Sequence, residues 1–302
     1  MRKKFAAISL IVTAALLTGC GGEESSSVPS EIIVDGTSAV EEQTSLFPLQ
    51  LEDGTVIESQ PESVASLSPA VTEILSELGF GDRLCAVSRY CDYPENVCNV
   101  TVGSCENPDI DKLTGLAPDI LFTLTPLAER EYYTLENAGI TVVTLSSPDS
   151  ASGYGELYGT IVTVFEGKEA GSAAAEKAEK SLSSAAEGID LGSFVYVTPK
   201  LSAAGAGTFE SAVLSLCGKN LFTGDGYALP EEDTAEIPQY IIAADTLTES
   251  DIAAVKPFSE MLSGGAKLLF VSAERFERPS ARLTEVFSAI KEQLSGNTEQ
   301  TE

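Results

Sequence analysis

The 302-residue chain contains no histidine, no tryptophan and only two methionines, and it carries 18 basic residues against 46 acidic ones. Without histidine it lacks the commonest metal ligand, the usual haem axial ligand and the usual general base together. The scarcity of positive charge leaves a net charge of −28. Such a surface repels phosphate backbones and anionic headgroups, which excludes nucleic-acid binding and favours basic partner surfaces. No G-x-S-x-G elbow, P-loop or complete dinucleotide fingerprint is present. The nearest approach to a fingerprint is Gly205-Ala206-Gly207, which lacks the third glycine.

The amino end is the most apolar part of the chain. Arg2, Lys3 and Lys4 precede a nearly unbroken apolar run from Phe5 to Leu17. That run is about two-thirds of a bilayer span, so it reads as a signal peptide rather than a membrane helix. It closes on Leu17-Thr18-Gly19-Cys20, which resembles a bacterial lipobox with Cys20 as the lipidated residue. Loss of Arg2, Lys3 and Lys4 leaves fifteen basic residues against 46 acidic ones, a mature charge of −31. Gly21-Gly22-Glu23-Glu24-Ser25-Ser26-Ser27 opens a polar tract that reads as a flexible tether to about residue 44.

Five cysteines remain beyond Cys20: Cys85, Cys91, Cys98, Cys105 and Cys217. An odd number leaves at least one thiol unpaired within the chain. The seven-residue spacing of Cys91, Cys98 and Cys105 matches none of the close pairs of zinc or iron–sulfur sites. One disulfide among these three, or simple burial, fits better. Cys217 ends an apolar stretch and reads as a core thiol.

Beyond the tether, Glu52-Asp53-Gly54 between two apolar pairs signals a hairpin. From Val64 the pattern becomes β-α-β. A strand over Val64 to Leu67 leads into a helix with Ser68 as N-cap, Pro69 in its first turn and Val71, Ile74, Leu75 and Leu78 on one face. Strands follow at Leu84 to Val87, Asp119 to Thr123 and Thr141 to Leu145, with a helix over Glu129 to Ala138. Glu169 to Glu187 is rich in strong helix formers. It reads either as a surface crossover helix or as a long helix joining two lobes. Strands resume at Phe194 to Val197, Tyr240 to Ala243 and Lys267 to Val271, with helices at Phe209 to Cys217 and Pro279 to Leu294. The alternation predicts an α/β fold with mostly parallel sheets covered by helices.

The halves echo each other. Leu116-Ala117-Pro118-Asp119-Ile120-Leu121 and Glu236-Ile237-Pro238-Gln239-Tyr240-Ile241 each lead from proline into an apolar strand. Each proline has an acid seven residues before it, Asp111 and Glu231, which suggests a pseudo-two-fold arrangement.

Several segments together resemble the class III substrate-binding proteins of ABC importers. Ser66-Leu67-Ser68-Pro69-Ala70-Val71-Thr72-Glu73 resembles that family's entry motif. Ser88-Arg89-Tyr90-Cys91-Asp92-Tyr93-Pro94 and Phe276-Glu277-Arg278 with Arg282 are similar to segments of its cobalamin-binding members. The resemblance implies two Rossmann-like lobes joined by one long helix, with the ligand in the cleft between them. It divides the chain into a signal peptide (1–20), tether (21–44), first lobe (45–147), connecting helical segment (148–190), second lobe (191–296) and tail (297–302). It further implies an anchored, extracytoplasmic monomer that delivers a corrinoid to a permease and its ATPase, with no cofactor, catalytic residue or bound metal ion of its own. An iron–siderophore or haem receptor is the alternative.

By the same resemblance, Asp111 and Glu231, with Glu232 as a neighbouring substitute, would dock on permease arginines. Tyr90, Tyr93, Cys105, Phe209 and Arg278 would face the ligand, Tyr90 against its flat face and Arg278 on its polar rim. Departures bear on the ligand. The relatives line their cleft with tryptophans, whereas this chain has none and carries Cys105 and Leu124 at two such positions. An enzyme with paired carboxylates and a surface protein that has lost transport are the competing classes.

Overall fold

The computed structural model describes residues 46–230 and 236–299. The hairpin forms at the start, β1 (Leu49–Gln50) against β2 (Val56–Ile57), with Leu49 opposite Ile57. Gly54 turns it at φ +92°, and Asp53 accepts hydrogen bonds from the amide and hydroxyl of Thr55.

The first lobe is a four-stranded parallel sheet in the order β4-β3-β7-β8. Its strands are β3 (Val64–Ser66), β4 (Leu84–Val87), β7 (Ile120–Thr123) and β8 (Thr141–Thr144), and the small antiparallel pair β5 (Gly103–Ser104) and β6 (Asn107–Pro108) lies in the connection after β4. Helix α1 (Pro69–Glu77) follows β3, with Ser68 Oγ accepting from the Val71 amide at 3.4 Å. Helices α2 (Ile110–Leu116) and α3 (Glu129–Asn137) complete the lobe.

The second lobe repeats the scheme. Strand β9 (Gly192–Val197) pairs in parallel with β13 (Tyr240–Ala244), and β13 with β14 (Lys267–Val271). The short strands β10 (Ala203–Ala204) and β12 (Tyr227–Ala228) extend the sheet antiparallel, while β11 (Gly218–Asn220) runs parallel beside β9. Its helices are α6 (Phe209–Leu214), α7 (Glu249–Ala253), α8 (Lys256–Ser263), α9 (Ala273–Phe276) and α10 (Leu283–Glu299). The two echoed segments lead into equivalent strands. β7 lies between β3 and β8, and β13 lies between β9 and β14.

Both sheets are covered on both faces, which is why their strands read as continuous apolar runs rather than alternating ones. Ile120 and Phe122 point into the largest core while Leu121 points into a second. Ile242 joins the largest core and Ile241 a third. The largest core draws residues from both lobes and from the helices between them, so apolar burial ties the lobes together.

The helix expected over Glu169 to Glu187 is present, and a second helix packs against it within the connecting segment. The two are α4 (Ala151–Glu166) and α5 (Lys168–Ala186), folded back at Gly167, whose φ is +87°. That backbone conformation is open to glycine and strained for other residues, so the chain turns there. The close approach rests on small residues. A Cβ at Gly159 would stand 2.9 Å from Gly171 O, and one at Gly155 2.7 Å from Ala175 O. The last helix is displaced from its expected start. α10 begins at Leu283 rather than Pro279, because Ser280 is drawn into contacts with the first lobe. Among the described residues no helix is long and apolar enough to cross a membrane.

Candidate functional site

Helix α1 carries Glu73 among the apolar residues that face the core, and its side chain is 2% exposed. A lone carboxylate there would be costly, so it has to be paired and hydrogen-bonded. Its partners come from the other lobe, more than 200 residues away. Glu73 Oε1 accepts from Arg278 Nη1 at 3.0 Å and Arg282 Nη1 at 3.1 Å, and Oε2 accepts from the Ser280 hydroxyl at 2.6 Å.

The loop after β4 adds an outer layer to this junction. Asp92 receives both terminal nitrogens of Arg278, with Nη2 to Oδ2 at 3.2 Å, and Tyr93 lies under the Arg282 guanidinium at 4.3 Å. Glu274 accepts from Arg282 at 2.8 Å. The hydrogen bond from Arg278 holds the Asp92 carboxyl below its ordinary value of 3.8. Asp92 therefore contributes stability above that value and loses it as pH falls through its lower folded-state pKa. The three segments that carry the family resemblance thus meet in one cluster of charges between the lobes.

The five candidate ligand residues have different surroundings. Tyr90 is 57% exposed, with the Arg89 guanidinium 5.4 Å from its ring centre. Tyr93 is 44% exposed on its free side. Cys105 is half-buried against the second core of the first lobe. Burial, then a hydrogen bond with Glu106, pushes its thiol up. Phe209 is buried and stacks on Tyr154 with ring centres 6.2 Å apart. Tyr154 donates to Tyr158 at 3.3 Å, and Tyr158 donates to Glu77 at 2.7 Å, so an aromatic line runs from α6 through α4 to α1. Phe209 packs as part of this line, and Arg278 is engaged with carboxylates on two sides.

Of the docking residues, Asp111 is exposed on the first turn of α2, while Glu231 and Glu232 lie outside the described residues, as does Cys20. Cys85, Cys91, Cys98 and Cys105 are half-buried free thiols, and Cys217 is a buried one. Cys217 is the core thiol expected, pushed up to about 11 by burial. Among the described residues no group of three or more histidine, cysteine, aspartate or glutamate side chains stands close enough to hold a metal ion.

Two features were not singled out from the sequence. One is Glu73 as the centre of the inter-lobe junction, although an acid inside the apolar stripe of a helix was a visible signal. The other is a cluster in the second lobe in which Glu210 and Tyr196 are buried and Tyr227 and Glu277 are exposed. There Tyr227 donates to Glu210 at 2.8 Å and Tyr196 to Glu277 at 3.3 Å. Burial raises both carboxyls, and for Glu277 the charge of Glu210 adds to it. A raised carboxyl favours folding fully below its ordinary 4.5 and loses that advantage as pH rises through the folded-state value. Glu210→Gln, which keeps an acceptor for Tyr227, is therefore expected to raise the melting temperature at pH 7.5 and leave it unchanged below 4.5. A lower melting temperature at pH 7.5 would contradict the assignment.

A cavity of about 570 Å³ lies elsewhere, beside β8 and the α4–α5 pair, lined by Leu51, Val143, Leu145, Leu157, Thr163 and Gly171 among others. None of the five candidate ligand residues lines it.

Residues 64–199 match the family model described as periplasmic binding protein. The chain is 29% identical over 166 residues to the uncharacterized ABC transporter substrate-binding lipoprotein YvrC of Bacillus subtilis, covering 52% of this chain and 49% of that protein. It therefore spans about half the length of that relative. It is 24% identical over 246 residues to a vitamin B12-binding protein of Yersinia pestis, covering 78% of this chain and 86% of the relative. The fold is that of the periplasmic vitamin B12 binding protein of Vibrio cholerae, with a TM-score of 0.60 at 22% identity over 76% of this chain and 95% of that one. A periplasmic heme binding protein from Pseudomonas aeruginosa is as similar, with a TM-score of 0.60 at 20% identity over 76% and 91%.

Proposed function

We propose that this chain is a periplasmic binding protein that captures a corrinoid outside the cytoplasmic membrane and delivers it to an ABC permease and its ATPase. The observation that carries the reading is the likeness along 86% of a protein named for vitamin B12 binding. Tyr90 supports it physically, because its exposed ring on the loop after β4 offers a flat apolar face to a planar ligand. The same fold in a heme binding protein keeps a haem or iron–siderophore ligand as the second reading. Cys20 anchors the protein to the outer face of that membrane by its lipid. Asp111, with Glu231 or Glu232, meets basic residues of the permease, where complementary charge sets encounter and register.

The test is chromatography of the purified protein after mixing with hydroxocobalamin, cobinamide, haemin and a ferric siderophore. The corrinoid chromophores are expected to stay with the protein at micromolar concentration. Tyr90→Ala is expected to weaken their binding about tenfold with the melting temperature unchanged. Retention of haemin or the siderophore while both corrinoids pass through would replace the ligand with the second reading. For the partners, Asp111→Lys with Glu231→Lys should abolish stimulation of the ATPase while ligand binding persists. Cys20→Ala should release the protein from membranes. Unchanged stimulation or retention would remove the respective role.

A further inference from the structure

The junction between the lobes has two layers of unequal strength. The inner layer is Glu73 with Arg278, Arg282 and Ser280. Its carboxylate is 2% exposed and the two guanidiniums are 17% and 11% exposed. Breaking it would strand a charge away from water. The outer layer is supplied by one loop, through Asp92 on Arg278 and Tyr93 on Arg282. Asp92 is 59% exposed, so water replaces its partner at little cost. The arginines do not depend on this loop, because Glu73 and Glu274 still neutralise both when it leaves.

We propose that the loop Ser88–Asn96 is a detachable strap across the mouth of the cleft. It closes by placing Asp92 and Tyr93 on the two arginines of the opposite lobe, and it opens while Glu73 keeps the lobes pinned. The strap carries Tyr90, so its release moves an exposed aromatic ring without separating the lobes. Its attachments to the first lobe lie at its start, where the buried Ser88 amide donates to Ser66 O and the Arg89 amide to Gly103 O, each at 2.8 Å, and Arg89 Nη2 donates to the Ser104 hydroxyl at 3.4 Å; beyond them the half-buried Cys91 places its thiol 3.1 Å from the Thr72 hydroxyl. Access to the cleft is then controlled by a loop of nine residues rather than by motion of the whole lobe.

The inference is independent of which ligand binds, and its test uses the ligand-free mature protein. Backbone hydrogen exchange is compared between the wild type, Asp92→Asn with Tyr93→Ala, and Glu73→Gln. The strap variant is expected to exchange about fivefold faster over residues 88–96, with α1 and residues 276–283 unchanged. Glu73→Gln is expected to speed exchange in α1 and residues 276–283 as well. Should that variant fail to fold, Ser280→Ala makes the same comparison. Unchanged exchange over residues 88–96 in the strap variant would overturn the proposal. So would acceleration in α1 equal to that in the loop, since the two layers would then open as one.

Discussion

Gly171→Leu is expected to prevent stable folding, or to lower stability by more than about 3 kcal/mol. The residue lies where α5 crosses α4, and even a Cβ there would overlap the Thr163 hydroxyl and stand 2.7 Å from Gly159 O. Thr163 is held in place because its hydroxyl donates to the same Gly159 carbonyl at 2.7 Å. A longer side chain must push the helices apart, and the turn at Gly167 offers only one residue to absorb the shift. Separation would uncover Leu157, Ile161 and Phe165 of α4, which belong to the core shared by both lobes. Burial of each such side chain is worth about 1.5–3 kcal/mol. Gly171→Ala is expected to cost less than leucine, about 1–3 kcal/mol, because the Thr163 side chain can turn away but the Gly159 carbonyl, 2.7 Å from the added Cβ, must still give. Urea unfolding measures both, and a Leu variant within about 1 kcal/mol of wild type would show that the helices do not pack as described.

Glu73→Ala is expected to cost about 3 kcal/mol. The loss is that of a buried carboxylate which receives three donors from the other lobe. Arg278 retains Asp92 and Arg282 retains Glu274, which keeps the effect below that of stranding a charge completely. Ser280, 1% exposed, retains no acceptor for its hydroxyl. Glu73→Gln should fall between the wild type and alanine, since one oxygen still accepts while the charge is gone. Denaturant midpoints order the three proteins. Equal stability of alanine and wild type would mean that apolar burial alone fastens the lobes. The same experiment separates two meanings of the family segments, because a loss of stability marks them as a junction whatever the ligand.

Much of the architecture was legible in the chain itself, and the reasons are local. Ser68-Pro69 opens a helix because a side-chain cap and a fixed φ act within one turn. Leu84 to Val87 and Leu268 to Val271 read as strands because apolar residues covered on both faces leave a short unbroken run. Pro118 and Pro238 announced equivalent strands because each stands two residues before a buried apolar segment. Charge and the absence of histidine bounded the chemistry without any coordinates, since both act regardless of fold.

What the sequence could not decide was which distant side chains meet. Glu73, Asp92 and Arg278 were visible as members of three separate segments, and Arg278 read naturally as a free donor to a ligand. Only the packing of the second lobe against α1 puts the two carboxylates on that guanidinium, and a buried charge takes the nearest partner that can neutralise it. Likewise the helix-forming composition of residues 169–187 was plain, but the fold-back at Gly167 depends on whether two helices can touch. That was settled by the glycines at 155, 159 and 171, whose missing side chains matter only once the helices lie against each other. Local propensity is written along the chain; pairing between elements is set by shape and burial in three dimensions, where residues 200 positions apart become neighbours.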